Sequence, residues 1–156
     1  KTDQAVAPLG VLNGVEYVDS NTGKTVFSNY WPGSNNVSVN TNHPVKAFVF
    51  DNPMQLYTVV ADGTNTDRAT ALADVFANCA MASVNNGSTN TGQSSDMLDI
   101  STAATTATLD VRIVGLFEDD ANVDYSAVGH QYIVRLLGHF NSGFAAAVGT
   151  AANTGI

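Results

Sequence analysis

The chain has 156 residues and a mass of 16.3 kDa, and 44% of its residues are hydrophobic. This is the size of one compact domain, with enough apolar residues for a folded core. Only 13% of the residues are charged, and 14 acidic residues against 6 lysines and arginines give a net charge of −8. Such a chain would repel a nucleic-acid backbone, so we expect no direct nucleic-acid binding. Because no segment approaches the roughly 20 apolar residues that a membrane-spanning helix needs, we also expect no membrane span.

The first ordered segment, residues 11–31, predicts a β-hairpin. Two runs of β-forming residues, 15–18 and 25–30, flank the turn-forming sequence DSNTG at 19–23. Asp, Asn and Gly favour tight turns, which supports this pairing. A proline at position 32 then ends the strand, and the loop that follows extends to about residue 44.

A second hairpin is predicted from residues 45–50 and 55–61. Both segments are rich in β-formers, and Asp51, Asn52 and Pro53 separate them with turn chemistry. We therefore expect these two strands to pair with each other.

The next segment has two interpretations. Asp67 is a suitable N-cap for a short helix, whose Leu72, Val75, Phe76 and Cys79 have the spacing of one buried helical face. Alternatively, residues 75–84 form a strand after a single turn of helix, because Asn78 disfavours a helix interior and the β-branched Val84 favours a strand.

The second half of the chain predicts further strands. Residues 85–95 are Asn, Ser, Thr and Gly almost throughout and predict an exposed loop. Strands are expected at 97–100 and 107–117, and the second is apolar on both faces, which is typical of a central strand. After an acidic loop at 118–128, residues 131–140 are its expected antiparallel partner.

These elements predict a mainly β fold, a single antiparallel β-barrel or β-sandwich domain with long loops and at most one short helix. The domain covers residues 1–140, and residues 141–156 form an arm rich in Ala, Gly and Thr. The arm buries too little apolar area to be stable alone, so we expect it to become ordered only against a partner. Phe140, Phe144 and Val148, at four-residue spacing, are its candidate contacts.

Three histidines and one cysteine are the candidates for metal binding, acid–base or nucleophilic chemistry. His130 and His139 are nine residues apart, which points them to opposite faces of a regular strand, and His43 lies in a loop. We therefore expect surface or edge histidines rather than a metal site. Cys79 lies among apolar residues and is expected to be a buried, inert thiol.

Two acidic loops are candidate calcium sites, because calcium prefers carboxylate oxygens in a flexible loop. One carries Glu118, Asp119, Asp120 and Asp124, and the other spans 62–67. Neither has the ligand spacing of an EF-hand, so solvated turns are the preferred interpretation. The sequence also has no nucleophile, phosphate-loop or metalloprotease motif, and we expect no catalytic residue, no metal and no cofactor.

The most distinctive aromatic group is Tyr30 and Trp31, followed by a proline. Large aromatic side chains are usually mostly buried, so the group is expected to cover the end of the hairpin and to offer a partner-binding surface. In a secreted protein the same residues would stack on a sugar ring.

A series of sequence blocks resembles the head decoration (cement) proteins of tailed bacteriophages. The resemblance runs in order through residues 14–19 (GVEYVD), 27–33 (FSNYWPG), 45–53 (VKAFVFDNP), 57–63 (YTVVADG), 87–92 (GSTNTG), 98–109 and 130–134 (HQYIV).

This resemblance implies a β-barrel or β-sandwich on the outer surface of the phage head. Such a protein clamps neighbouring subunits of the major capsid protein, contacts other copies of itself as a homo-oligomer on the capsid, and has no catalytic residues. The alternative is a carbohydrate-binding or adhesin-like β module, which Trp31, the tyrosines and the Asn-rich loops would serve.

Overall fold

The computed structural model describes residues 8–83, 87–88, 90–120, 122 and 124–142. These residues form eight strands, one α-helix and one 3-10 turn. In chain order the elements are β1 (Val11–Val18), β2 (Thr25–Ser28), β3 (Lys46–Phe50), β4 (Leu56–Val60), α1 (Arg68–Ala73), β5 (Asn78–Ser83), β6 (Asp96–Ala104), β7 (Val111–Leu116), β8 (Gln131–Leu136) and the 3-10 turn Phe140–Ser142.

The fold is mainly β, as predicted, with one short helix. The strands form a three-stranded sheet of order β2-β1-β3 and a five-stranded sheet of order β4-β8-β7-β5-β6. All pairings within both sheets are antiparallel. The arrangement is sandwich-like, and the described residues do not close a barrel.

The predicted N-terminal hairpin is confirmed. β1 pairs with β2 from Val15 opposite Ser28 to Val18 opposite Thr25. The turn between them is held by Asp19, whose carboxylate accepts from the Asn21 amide at 2.8 Å and whose carbonyl accepts from the Gly23 amide at 2.8 Å.

The second predicted hairpin is wrong in its pairing, although both of its strands exist. β3 pairs with β1, whereas β4 pairs with β8 in the other sheet. The connecting segment is a turn in which Asn52 accepts from the amides of Met54 and Gln55, at 2.9 and 3.0 Å. This turn directs the chain into the second sheet, while β1, being eight residues long, has an edge free to bind β3.

The strand β7 lies in the middle of the five-stranded sheet, and β8 is its antiparallel partner, both as predicted. It is not apolar on both faces, however. Val111, Ile113 and Leu116 are buried, while Arg112 and Val114 are exposed on the other face. One covered face is sufficient for an antiparallel strand, so Val111 and Ile113 alternate with exposed residues, and an irregularity between Ile113 and Gly115 brings Leu116 to the same buried face.

The main core fills the inner face of the five-stranded sheet. The two edge strands of this sheet, β4 and β6, approach each other at a bridge between Ala61, directly after β4, and Leu98 of β6. The sheet therefore curls round the core. The buried residues of this cluster are Ala61, Ala71, Cys79, Leu98, Val111, Ile113, Leu116, Tyr125, Tyr132 and Val134.

The helix is shorter than its apolar spacing predicts. Asp67 is the N-cap, as expected, and accepts from the Thr70 amide at 2.8 Å, but α1 ends at Ala73. Phe76 is 73% exposed and has a φ of 73°, so the predicted buried helical face, which also included the exposed Leu72, is wrong.

The alternative interpretation, a strand after a short helix, is confirmed. The Phe76 amide already donates to the Ile113 carbonyl, and the Ile113 amide donates to the Ala77 carbonyl, both at 2.9 Å. Hydrogen bonding to β7 therefore ends the helix, and β5 begins at Asn78.

Hydrogen bonds between described residues join the two sheets and their loops. The Tyr57 hydroxyl donates to the Phe50 carbonyl at 3.3 Å, and the Asn29 side chain donates to the Thr91 carbonyl at 2.6 Å. The Phe140 amide donates to the Pro8 carbonyl at 2.9 Å, which places the end of the described chain beside the start of β1. The predicted arm at 141–156 lies outside the described residues from position 143 onward.

Candidate interaction surface

One face of the three-stranded sheet carries an exposed apolar patch. Directly paired residues in a sheet point to the same face, and the register places Phe27 and Lys46 opposite Glu16, Phe48 opposite Gly14 and Phe50 opposite Val11. The members of this patch, here called the phenylalanine face, are Val11, Phe27, Phe48 and Phe50. All four are exposed, with Phe27 at 69%.

An ion pair lies within the phenylalanine face. The Lys46 ammonium donates to the Glu16 carboxylate at 2.9 Å. Because Glu16 is at the centre of the sheet and pairs with Phe27 on one side and Lys46 on the other, charged groups and aromatic rings share one surface.

A glycine at the entry to β1 allows the chain to approach the end of this face closely. Gly10 has a φ of 150°, and a Cβ at this position would lie 1.9 Å from the Phe50 carbonyl oxygen. Any side chain here would therefore displace the end of β3.

The opposite face of the same sheet is covered only in part, since Leu12 and Ala47 are exposed on it. Its covered part lies along the second half of β1. Val15 and Tyr17 are buried there, and Trp31 packs edge-on against Tyr17 with ring centroids 5.9 Å apart. Trp31 is 37% exposed, and Tyr30 is partly buried. Trp31 therefore covers part of the hairpin on the side away from the phenylalanine face.

The remaining predicted contacts are divided between the described and undescribed parts of the chain. Phe140 is 53% exposed and is held beside Pro8, ahead of β1. Phe144 and Val148 lie outside the described residues.

Sequence reasoning missed the phenylalanine face itself, although a signal was present. Within β3, Lys46, Phe48 and Phe50 share one parity, while Ala47 and Val49 share the other. A lysine is almost never buried, so its parity marks the outward face and assigns both phenylalanines to it.

The prediction of surface histidines is wrong for two of the three. His130 and His139 are buried, while His43 is exposed. The ring of His130 packs against Tyr125 and Tyr132 at centroid distances of 5.8 and 5.2 Å. The spacing of two residues along a strand indicates to which face each side chain points. It does not show whether loops cover the ends of the strand, here β8, and bury those side chains.

Cys79 is buried, as predicted. Burial is the main cause that raises the pKa of its thiol from 9.0 to about 12, with the nearby Asp74 carboxylate as the next cause. Burial also raises the pKa of Tyr132, whose hydroxyl lies 3.2 Å from Asp74 and accepts from Asn65 at 2.6 Å. Both groups stay protonated, which suits a core and not a nucleophile.

The two acidic loops meet round one open groove of about 590 Å³. It is lined by Thr66, Asp67, Arg68, Glu118, Asp119, Asp120, Asn122, Asp124, Tyr125 and Ser126. Arg68 and Glu118 form an ion pair across it. Asp67 and Asp124 accept hydrogen bonds from Thr70 and Ser126, and these bonds lower the pKa of each carboxyl.

Within the part of the chain that the structure describes, no group of three or more His, Cys, Asp or Glu side chains has the geometry to hold a metal ion. Among the same residues, no helix is long and apolar enough to cross a membrane.

Comparison with known proteins gave no matching family model, no matching curated protein and no matching solved structure.

Proposed function

We propose that the chain is a non-enzymatic structural protein of a virion, a decoration protein that binds and stabilises the lattice of the major capsid protein on the outer surface of a phage head. In this role it contacts the major capsid protein and neighbouring copies of itself. The observation that carries the proposal is the phenylalanine face.

Exposed aromatic side chains on a regular sheet favour a protein partner. Scattered apolar residues are normal on a surface, but a contiguous patch rimmed by polar groups marks an interaction site. Phe27 lies on β2, and Phe48 and Phe50 lie on β3. With Val11 of the intervening strand β1 they form such a patch. Aromatic residues at the centre of an interface contribute most of its binding energy.

The ion pair in the patch would fix the orientation of the partner. Charged groups in an interface contribute more to specificity than to affinity. Glu16 and Lys46 therefore favour one docking register over others on a sheet face that is otherwise apolar.

The proposal is tested by sedimenting the purified protein with heads assembled from the major capsid protein of the same genome. Wild-type protein is expected to sediment with the heads, and its binding is expected to saturate. Phe27→Ser and Phe48→Ser each remove a side chain whose burial contributes about 1.5–3 kcal/mol, so each should weaken binding by about tenfold or more.

Phe76→Ser is the matched control. Phe76 is also a strongly exposed phenylalanine, but it lies after α1 and outside the three-stranded sheet. Thermal unfolding of each variant shows whether the fold is retained. Wild-type protein that does not bind heads, or folded face variants that bind like wild type, would refute the proposal, and saturable binding on a glycan array instead would favour a carbohydrate-binding module.

A further inference from the structure

Two arginines lie side by side on the outer face of the five-stranded sheet. The register pairs Leu56 with Arg135, Arg135 with Arg112, and Arg112 with Asn78, so one row crosses β4, β8, β7 and β5. Directly paired side chains in a sheet have Cβ atoms about 4.5–5.5 Å apart. The two guanidinium groups, here called the arginine row, therefore share one patch of surface.

This placement is unfavourable in the isolated chain. Like charges directly opposite each other destabilise a sheet, and this protein has only 6 cationic side chains against 14 acidic ones. Within the described residues, neither Arg112 nor Arg135 forms an ion pair. A third of the cations are thus placed next to each other with no described carboxylate to neutralise them.

Neutral groups hold the arginine row in position. The Arg112 Nε donates to the side-chain oxygen of the buried Asn78 at 3.0 Å, and Asn78 in turn donates to the Thr106 carbonyl at 3.0 Å. Arg135 donates to the sulfur of Met54 at 3.6 Å. Since a guanidinium has five N–H donors, each arginine is oriented while retaining donors for an external carboxylate.

The surroundings of the arginine row favour a protein partner. Leu56 and Val114 are exposed on the same face of the sheet. Arginine with apolar neighbours is typical of protein interfaces, whereas a net charge of −8 opposes binding to nucleic acid.

The chain itself carries a matching acidic segment in the loop after β7. Exposed carboxylates there include Asp120 and Asp124. Arg112 lies at the start of β7, and the acidic loop begins at the end of this strand. A strand rises about 3.3 Å per residue, so roughly 20 Å separates Arg112 from the loop within one molecule. The two surfaces can meet only between different copies.

We propose that the arginine row of one copy binds the acidic loop of a second copy, with Arg112 and Arg135 donating hydrogen bonds to the carboxylates of Asp120 and Asp124. This contact joins two different surfaces, so it either repeats head to tail into rings or extended arrays, or is made twice in a reciprocal twofold dimer. The proposal rests on the proposed coat function, in which neighbouring copies touch, but it is tested on the protein alone.

Sedimentation velocity over a concentration series, in about 0.05 M and about 1 M NaCl, measures this self-association. Association is expected at low salt and should weaken strongly at high salt, because exposed charges are screened. Arg112→Glu and Asp120→Lys should each weaken association about tenfold or more. The double variant, which exchanges the two charges, should recover it.

Lys24→Glu is the control for net charge, since it makes the same charge change in the exposed turn between β1 and β2. It should leave association unchanged. If Arg112→Glu impairs folding, Arg135→Gln with Asp120→Asn tests the same contact without charge reversal.

Wild-type protein that stays monomeric at about 1 mM would overturn the proposal. So would a folded double variant without recovery, or a Lys24→Glu effect as large as that of Arg112→Glu. Because these measurements contain no capsid, their failure is distinct from a failure of head binding.

Discussion

At the scale of single residues, the backbone of Phe76 has the least favourable conformation in the described chain. Its φ of 73° is the one positive value outside glycine among those residues. The left-handed region costs a residue with a Cβ roughly 1–2 kcal/mol, and this exposed ring contributes little packing in return. Phe76→Gly is therefore expected to raise the free energy of unfolding in urea by about 1 kcal/mol.

Phe76→Ala separates strain from the loss of the ring. Alanine removes the aromatic side chain but keeps the Cβ, so it should not stabilise the protein. An equal gain from both substitutions would mean that the ring, and not the backbone, is responsible.

A second residue-scale prediction concerns Cys79. Its thiol is buried and its pKa is raised to about 12, so almost no thiolate forms near neutral pH. Iodoacetamide at about pH 8 should leave the native protein unlabelled and should label it fully in denaturant. Rapid labelling of the folded protein, detected by mass spectrometry, would place this side chain at the surface.

The burial of Cys79 was predicted from the sequence, whereas the burial of His130 was not, because the sequence shows only the local surroundings of a residue. The thiol lies in an apolar sequence, and its local context already indicates burial. His130 is covered by aromatic rings that come from positions on both sides of it, including Tyr125 from a loop that the sequence marks only as acidic. Burial by a folded loop is a tertiary effect that local composition does not contain.

At the scale of elements, one asparagine joins β7 to β8. Asn122 is buried, its amide nitrogen donates to the carbonyls of Phe117 and Gln131, and its oxygen accepts from the Gln131 amide at 2.8 Å. These bonds continue the ladder beyond the last paired residues. Asn122→Ala leaves buried backbone groups without these partners and should cost about 1–3 kcal/mol.

Chemical denaturation measures this loss, with Asn35→Ala as the control. Asn35 lies in an exposed turn, where substitutions usually change stability by no more than about 0.5 kcal/mol. An Asn122→Ala variant as stable as this control would show that the side chain does not hold the two strands together.

The positions of the strands were predictable, whereas their partners were not in every case. Local β-forming runs identify β3 and β4 with boundaries close to those observed. Their pairing depends on which free edge is within reach after the turn at 52–55, and β8, which pairs with β4, lies some 70 residues later in the chain. The predicted helix was too long for a similar reason. Backbone hydrogen bonds between residues 76–77 and β7 replace those that would continue the helix beyond Ala73.

At the scale of the whole molecule, the stability of the domain should not depend on residues 143–156. The buried cluster and the partly buried side chains that pack against it fall between Tyr57 and Leu136. Deleting 143–156 should therefore shift the unfolding midpoint by only a few degrees, about 1 kcal/mol, while head binding weakens.

A shorter deletion tests the apolar residues of the arm. Removing only 149–156 keeps Phe144 and Val148 and should preserve head binding. Unchanged head binding would show that the arm does not mediate attachment, and unfolding of the isolated domain by the longer deletion would show that the arm is part of the core.

The most direct test of the proposed function is a cryo-electron microscopy reconstruction of heads assembled with this protein. We expect density for the domain on the outer surface of the shell, at contacts between major capsid subunits, with Phe27, Phe48 and Phe50 facing the shell. A shell without this density, or a domain whose phenylalanine face points to solvent, would contradict the proposal.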